Sequence, residues 1–302
     1  MASTSPTSSG SAPFGRVVTA MVTPFTTDGA LDLDGAQRLA AELVDAGSAG
    51  LVVSGTTGEA PTTTDAEKAA LVGAVLEAVG DRARIIAGVG GYDTAHSVQL
   101  ALAMQTAGAH ALLAVTPYYN RPPQEGVRRH FTAVADATGL PVVLYDIPGR
   151  TATPIETETL LRLAEHPRIV AVKDAKGDLG ASSRVMAETG LSYYSGEDVL
   201  NLPLAAIGSV GCMSVVSHLV GPELVALYDA YFAGDVAKAR DIHRMLLPVY
   251  TGVFRTQGVI TIKAALRALG RPAGPVRLPL VDLDEAGLGT LRADLAAAGV
   301  AL

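Results

Sequence analysis

Ile169-Val170-Ala171-Val172-Lys173-Asp174 is the stretch on which the fold turns. Four apolar residues follow one another without a polar break, and three are β-branched, so the segment is strand-like and apolar on both faces. A strand of that kind belongs to a parallel sheet covered on both sides. Outward from it, similar short runs recur at 17–22, 50–54, 84–89, 111–115, 141–145, 192–195 and 212–216. Longer Ala/Leu-rich amphipathic runs separate them, at 33–46, 65–79, 94–107, 124–138, 155–164, 182–189 and 199–207. Strand–helix alternation repeated through about 200 residues predicts an α/β fold, a (β/α)8 TIM barrel, rather than an open sheet. Two helix starts have local support. Thr64-Asp65-Ala66-Glu67 has the spacing of a capping box, and Pro154 suits a first helical position.

After about Gly221 the strand signal stops. Residues 224–232, 236–250, 261–269 and 284–298 read as helices, punctuated by Gly234, Gly270 and Pro272. The expected layout is a disordered Ser/Thr/Pro-rich tail over 1–14, a barrel over 15–221 and a C-terminal helical extension over 222–302.

Composition narrows the function. The 302 residues carry 23 Lys+Arg against 30 Asp+Glu, a net charge of −7, which argues against a nucleic-acid partner. No stretch reaches the ~18 apolar residues of a membrane span, and the N-terminus has neither the basic nor the apolar part of a secretory signal. One cysteine, Cys212, excludes an intrachain disulfide and a cysteine-based zinc cluster. The six His show no paired spacing for a metal. The expectation is a cytoplasmic globular protein without a metal site. At 18% charged residues, against roughly 25% in an ordinary domain, the surface is sparse enough to suggest subunit interfaces.

In a barrel of this kind the chemistry sits where strands run into the following loops. Polar clusters fall at those points: Gly55-Thr56-Thr57-Gly58-Glu59, Thr116-Pro117-Tyr118-Tyr119-Asn120, Tyr145 through Thr151, Lys173-Asp174 and Gly196-Glu197-Asp198. Lys173 is the sharpest, because a lysine ending an apolar strand is rarely buried without a partner or a task. It reads as a buried salt bridge to Asp174, as a snorkelling surface side chain, or as a Schiff-base amine activated by desolvation. The other lysines, Lys68, Lys176, Lys238 and Lys263, fall on helices or in loops and read as solvated. Gly55 to Gly58 is a plain turn or a cradle of N–H groups and hydroxyls for a carboxylate or phosphate. Its spacing matches neither a P-loop nor a dinucleotide fingerprint. Arg150 is a solvated loop residue or a bidentate carboxylate ligand. Tyr145 is a core tyrosine or a proton shuttle beside an amine.

These clusters together resemble the dihydrodipicolinate synthase/N-acetylneuraminate lyase family of barrels. The likeness runs from about Gly15 to the C-terminus through GTTGE at 55–59, TPYYN at 116–120, YDIPGRT at 145–151, VKDAKGDL at 172–179, YSGED at 194–198 and GCMSVVSH at 211–218. Arg150 within YDIPGRT, and the TPYYN form, favour the synthase branch over the lyase branch. The resemblance implies the following roles. Lys173 forms a Schiff base with pyruvate and Tyr145 is the acid/base group beside it. Thr56 and Tyr119 complete a hydroxyl relay, with Tyr119 entering the site of a neighbouring subunit. Thr57 binds the pyruvate carboxylate, Gly196 and Met213 flank the pyruvate, and Arg150 receives aspartate semialdehyde at the cleft mouth. The implied reaction condenses these two small molecules with no cofactor or metal, as the first committed step toward diaminopimelate and lysine. The implied assembly is a homotetramer, a dimer of dimers.

Departures from the family pattern are Asp146 in place of the frequent Asn, Asp174 in place of Glu and Met213 in place of Ile. In lysine-inhibited members an inter-subunit site uses His, Asn and Glu side chains. The matching positions here hold Asp65, Lys68, Tyr92 and His96, with Ala60 where Ser is common and Tyr118 retained, which implies weak or absent feedback by lysine. Two other readings compete: a related pyruvate aldolase acting on a 2-keto-3-deoxy sugar acid or other oxo acid, and a barrel that senses a keto acid without turning it over.

Overall fold

The computed structural model describes residues 12–302. Eight parallel strands, β1 Val17–Ala20, β2 Gly50–Val53, β3 Arg84–Gly88, β4 Ala111–Val115, β5 Val142–Asp146, β6 Ile169–Asp174, β7 Ser192–Ser195 and β8 Gly211–Ser214, close into one barrel in sequence order. The helices around it are α1 Leu33–Asp45, α2 Asp65–Val79, α3 Thr94–Thr106, α4 Gln124–Ala137, α5 Pro148–Thr151, α6 Thr157–Leu163, α7 Leu179–Glu188 and α8 Asn201–Ile207. Helices α9 Ser217–Phe232, α10 Val236–Val253, α11 Gly258–Ala268 and α12 Glu285–Ala296 follow. The barrel expected from strand–helix alternation is the observed architecture. Among the described residues no helix is long and apolar enough to cross a membrane.

The period of two along each strand divides the core. Val142, Leu144 and Val172 face outward into the layer between barrel and helices, whereas Val143, Tyr145 and Ala171 belong to a cluster inside the barrel with Val18, Val52 and Met213. Lys173, two residues beyond Ala171, therefore points into the barrel mouth and Asp174 points away from it. Phe14 lies within the packed structure: its N–H donates to the Tyr194 hydroxyl at 3.1 Å and its ring lies 6.1 Å from that of Tyr194. Of the expected tail, residues 1–11 lie outside the described residues, while Phe14 is buried core.

Side-chain caps set six of the twelve helix starts among the described residues, those of α1, α2, α3, α7, α10 and α12. Thr64 and Glu67 form the reciprocal capping box at the start of α2. Pro154 does not open a helix, because α6 starts at Thr157; the Pro154 carbonyl instead accepts from Gln124 Nε2 at 2.9 Å. Helix α7 starts at Leu179, earlier than the apolar pattern suggests, because the Asp178 side chain caps Ala181 N–H. Helix α9 also starts early and bends at Val220, where φ is −131°. Pro222 supplies no N–H to the carbonyl of His218, and Arg271 Nη1 donates to that carbonyl at 2.7 Å.

Three of the lysines expected in solvent are not there. Lys238 is exposed, but Lys263 and Lys68 are buried, and Lys176 ion-pairs with the buried Asp146 at 3.2 Å. A helical position says nothing of which face meets water when the helix is packed nearly all round, as α11 is.

Candidate active site

Register brings the first two groups together. Tyr145 on β5 pairs with Lys173 on β6, so both side chains leave the barrel at one level. The Lys173 amine lies 4.3 Å from the centre of the Tyr145 ring, and both residues are buried. Asp174 is not the partner of Lys173: its carboxylate takes hydrogen bonds from the Ser182 hydroxyl and from Lys176 N–H at 2.8 Å, on the outer face. Asp146, also outward, accepts from Ile155 N–H at 3.1 Å, and burial pushes its carboxyl up to about 6 against the pull of Lys176. Both aspartates that depart from the family pattern thus brace strand ends from behind and stay out of the cleft.

A cavity of about 330 Å³ opens over the amine. Thr56, Thr57, Tyr145, Arg150, Lys173 and Gly196 all reach its wall. Gly196 is there for space: a β-carbon at that position would fall 3.0 Å from Lys173 Cγ and 3.1 Å from its Cε. The 55–58 turn is held between Ser54 (φ 57°) and Glu59 (φ 55°), two left-handed non-glycine residues. Each costs on the order of 1–3 kcal/mol and persists only where the surroundings over-determine it. Here the Gly58 carbonyl accepts from Thr23 Oγ1 at 2.6 Å. Gly88 leaves room for the turn, because a β-carbon there would lie 2.1 Å from the Ser54 carbonyl oxygen. Thr57 is buried by this arrangement and Thr56 is left open to the cavity.

Two of the expected residues lie elsewhere in the chain. Met213 is buried in the barrel interior, in the same cluster as Tyr145, and is not on the cavity wall. Tyr119 is 91% exposed, with a left-handed φ of 70°, and is not on the wall of its own chain's cavity, in keeping with the expectation that it serves a neighbouring subunit. Sequence reading gave no role to two of the wall residues. Glu197, next to Gly196, has its carboxyl pushed up by burial and by Asp198, while Arg150 and Lys173 pull it down. Gln257 Oε1 accepts from Arg150 Nη1 at 2.6 Å and steadies that guanidinium. Glu197 was reachable from its place at the end of a strand. Gln257 was not, because it comes from the turn before α11.

A second cavity of about 550 Å³ shares Thr56 and Tyr145 with the first and is lined by Asp65, Lys68, Tyr92, His96 and Tyr118. Two carboxylates reach it and both are engaged: Asp65 meets His96 Nε2 at 2.7 Å and Lys68 Nζ at 3.3 Å, and Asp93 accepts from Ala95 N–H at 2.9 Å. Lys68 also donates to the Thr63 carbonyl at 2.7 Å.

A closed barrel that sets a buried primary amine against a tyrosine on the wall of a cleft can carry carbonyl chemistry, and the chain is a lyase. It belongs to the dihydrodipicolinate synthetase family, whose family model matches residues 13–298. It is 67% identical over 297 residues to 4-hydroxy-tetrahydrodipicolinate synthase 2 of Streptomyces coelicolor, covering 98% of this chain and 99% of the relative. The 4-hydroxy-tetrahydrodipicolinate synthase of Acidothermus cellulolyticus is 65% identical over 288 residues, covering 95% and 94% of the two chains. Among solved structures, DHDPS from Cyanidioschyzon merolae with lysine bound superposes with a TM-score of 0.93 at 41% identity, covering 95% of this chain and 98% of the other. The chloride-inhibited dihydrodipicolinate synthase of Acinetobacter baumannii complexed with pyruvate superposes at 0.91 and 34% identity, covering 95% and 99%.

Proposed function

We propose that Lys173 is the amine at which this chain performs its reaction, the condensation of pyruvate with L-aspartate 4-semialdehyde to 4-hydroxy-tetrahydrodipicolinate. The activity is that of its full-length relatives. The observation that carries the residue assignment is the buried Lys173 amine beside Tyr145, in one cavity with Thr57 and Arg150. The neutral amine adds to the pyruvate ketone and water leaves, giving an imine. The imine draws electrons from C3, which loses a proton and becomes an enamine carbon. That carbon bonds to the aldehyde of the second substrate, whose oxygen takes a proton. The amino group of the second substrate then attacks the imine carbon, closes the ring and releases Lys173. Tyr145 moves protons at each step, and Thr56 relays them.

Thr57 and the backbone of its turn receive the pyruvate carboxylate, with Gly196 clearing space for the imine and Met213 supporting the floor from inside the barrel. Arg150, steadied by Gln257, takes the carboxylate of the second substrate in bidentate fashion. Tyr119 serves the site of a neighbouring subunit in a homotetramer built as a dimer of dimers, which accounts for its exposure in a single chain. The setting we propose is the cytoplasm. A coupled assay with pyruvate and aspartate semialdehyde tests the activity; turnover of a 2-keto-3-deoxy sugar acid in its place would overturn it.

Arg150→Ala separates the two substrates. The pyruvate adduct trapped by borohydride should persist, while KM for aspartate semialdehyde rises about tenfold or more, as expected when a charge-assisted bidentate contact is lost. An unchanged KM would remove Arg150 from the site. Feedback by lysine should be weak, because both carboxylates on the second cavity's wall are already engaged, Asp65 by His96 and Lys68 and Asp93 by Ala95 N–H. Strong inhibition at sub-millimolar lysine in an activity titration contradicts this.

A further inference from the structure

The cleft is braced by a buried ion pair, one member of which, Glu59, reaches the cavity wall. Lys263 on α11 and Glu59 at the end of the 55–59 turn have fully buried side chains, with Nζ and Oε1 2.5 Å apart. Lys263 Nζ also donates to the Pro275 carbonyl at 2.8 Å and sits 4.1 Å from the centre of the Phe25 ring. The second oxygen of Glu59 accepts from Arg277 N–H at 2.8 Å. The Glu59 carboxylate is thus gripped from two places in the C-terminal region, while its backbone belongs to the turn that carries Thr56 and Thr57. Glu59 N–H donates to the Thr56 carbonyl at 3.2 Å, and Ala60 N–H donates to the Gly55 carbonyl at 3.2 Å. Glu59 itself is in the left-handed region.

Buried ion pairs seldom raise stability above that of a well-packed apolar pair, so this one has to be understood through geometry rather than as a gain in free energy. The geometry it imposes is specific. A carboxylate fixed at a distant helix holds a strained residue in place, and that residue shares a hydrogen-bonded turn with two threonines of the cavity wall. The chain entering α11 touches the opposite wall through Gln257 and Arg150. One helix therefore references both sides of the cleft.

We propose that Lys263 is a positioning residue for pyruvate: through Glu59 it holds Thr56 and Thr57 at the distance from the Lys173 amine that captures the keto acid. The inference rests on the pyruvate reading given above. It assigns to the C-terminal helices a role in ligand capture besides packing.

The test is a titration of pyruvate against borohydride trapping, read by intact mass, which reports pyruvate capture without the second substrate. In the double variant E59Q/K263M both charges are gone, so no lone charge is left buried. The pyruvate concentration for half-maximal trapping should rise about tenfold, with full adduct at saturation and KM for aspartate semialdehyde, measured at saturating pyruvate, within about twofold of the parent. A purely structural pair would lower the melting temperature and leave half-trapping where it was, and that outcome overturns the proposal. If the double variant does not fold, E59Q/K263Q decides. It also leaves no lone buried charge and keeps polar groups at both positions, and its half-trapping concentration should rise by about threefold; a parent-like value overturns the proposal. A parent protein that traps no pyruvate at all overturns the Schiff-base reading itself, a result distinct from a variant that traps like the parent.

Discussion

Lys173→Ala will trap no pyruvate under borohydride, and its turnover with pyruvate and aspartate semialdehyde will fall by about a thousandfold or more, ~4 kcal/mol of transition-state stabilisation. The loss is this large because the amine does more than bind. In the proposed reaction it supplies the covalent electron sink without which the C3 proton of pyruvate stays weakly acidic. Other lysines cannot substitute. Lys263 is committed to Glu59, Lys176 to Asp146 and Lys68 to Thr63 and Asp65, and Lys173 is the lysine on the cavity wall. The fold should tolerate the change, since truncation removes a side chain that hangs in the cleft. A melting curve close to the parent, together with an unchanged mass after borohydride, is the expected pair of results. An adduct that survives in Lys173→Ala would place the reactive amine elsewhere.

Tyr145→Phe is expected to lower turnover by about 10²–10³, the range for loss of a positioned acid/base group. The ring remains, and with it the contact with the interior cluster of Val143, Ala171 and Met213, so stability should move by less than about 1 kcal/mol. The phenol is lost, and every step in which a proton enters or leaves must then use Thr56 or water. Adduct formation should slow yet still reach completion at long incubation, because the amine is intact. That slow but complete trapping distinguishes Tyr145→Phe from Lys173→Ala. A variant with parent-like turnover would reduce Tyr145 to a packing residue under the amine.

The legible part of the site came from strand ends. Lys173 stood out because an apolar strand ran into a charge, and Tyr145 ended the neighbouring strand in the same way. Their meeting follows from parallel pairing of consecutive strands, so the barrel reading already placed them side by side. Thr56, Thr57 and Gly196 sit in the loops that the same reading assigned to the mouth, whereas Arg150, expected in a loop, lies in the short helix α5 after β5. The pairing of Glu59 with Lys263 was illegible for the opposite reason. Nothing periodic in a helix marks one buried lysine, and its partner lies in a turn from the other end of the chain. Pro154 and the early starts of α7 and α9 show the same limit on a smaller scale. Capping by Asp178 and the rescue of the His218 carbonyl by Arg271 outweighed the apolar pattern.

By itself, then, the sequence determined the barrel, the strand order and the wall residues at the strand ends, because these depend on signals repeated locally with periods of two and 3.6 residues. Tertiary structure alone decided which lysines are buried, that Asp174 and Asp146 turn their backs on the cleft and that Met213 stays beneath the floor. Each of these depends on which face of an element meets which neighbour across a long span of chain. Closing a barrel determines such neighbours, and a one-dimensional pattern does not contain them.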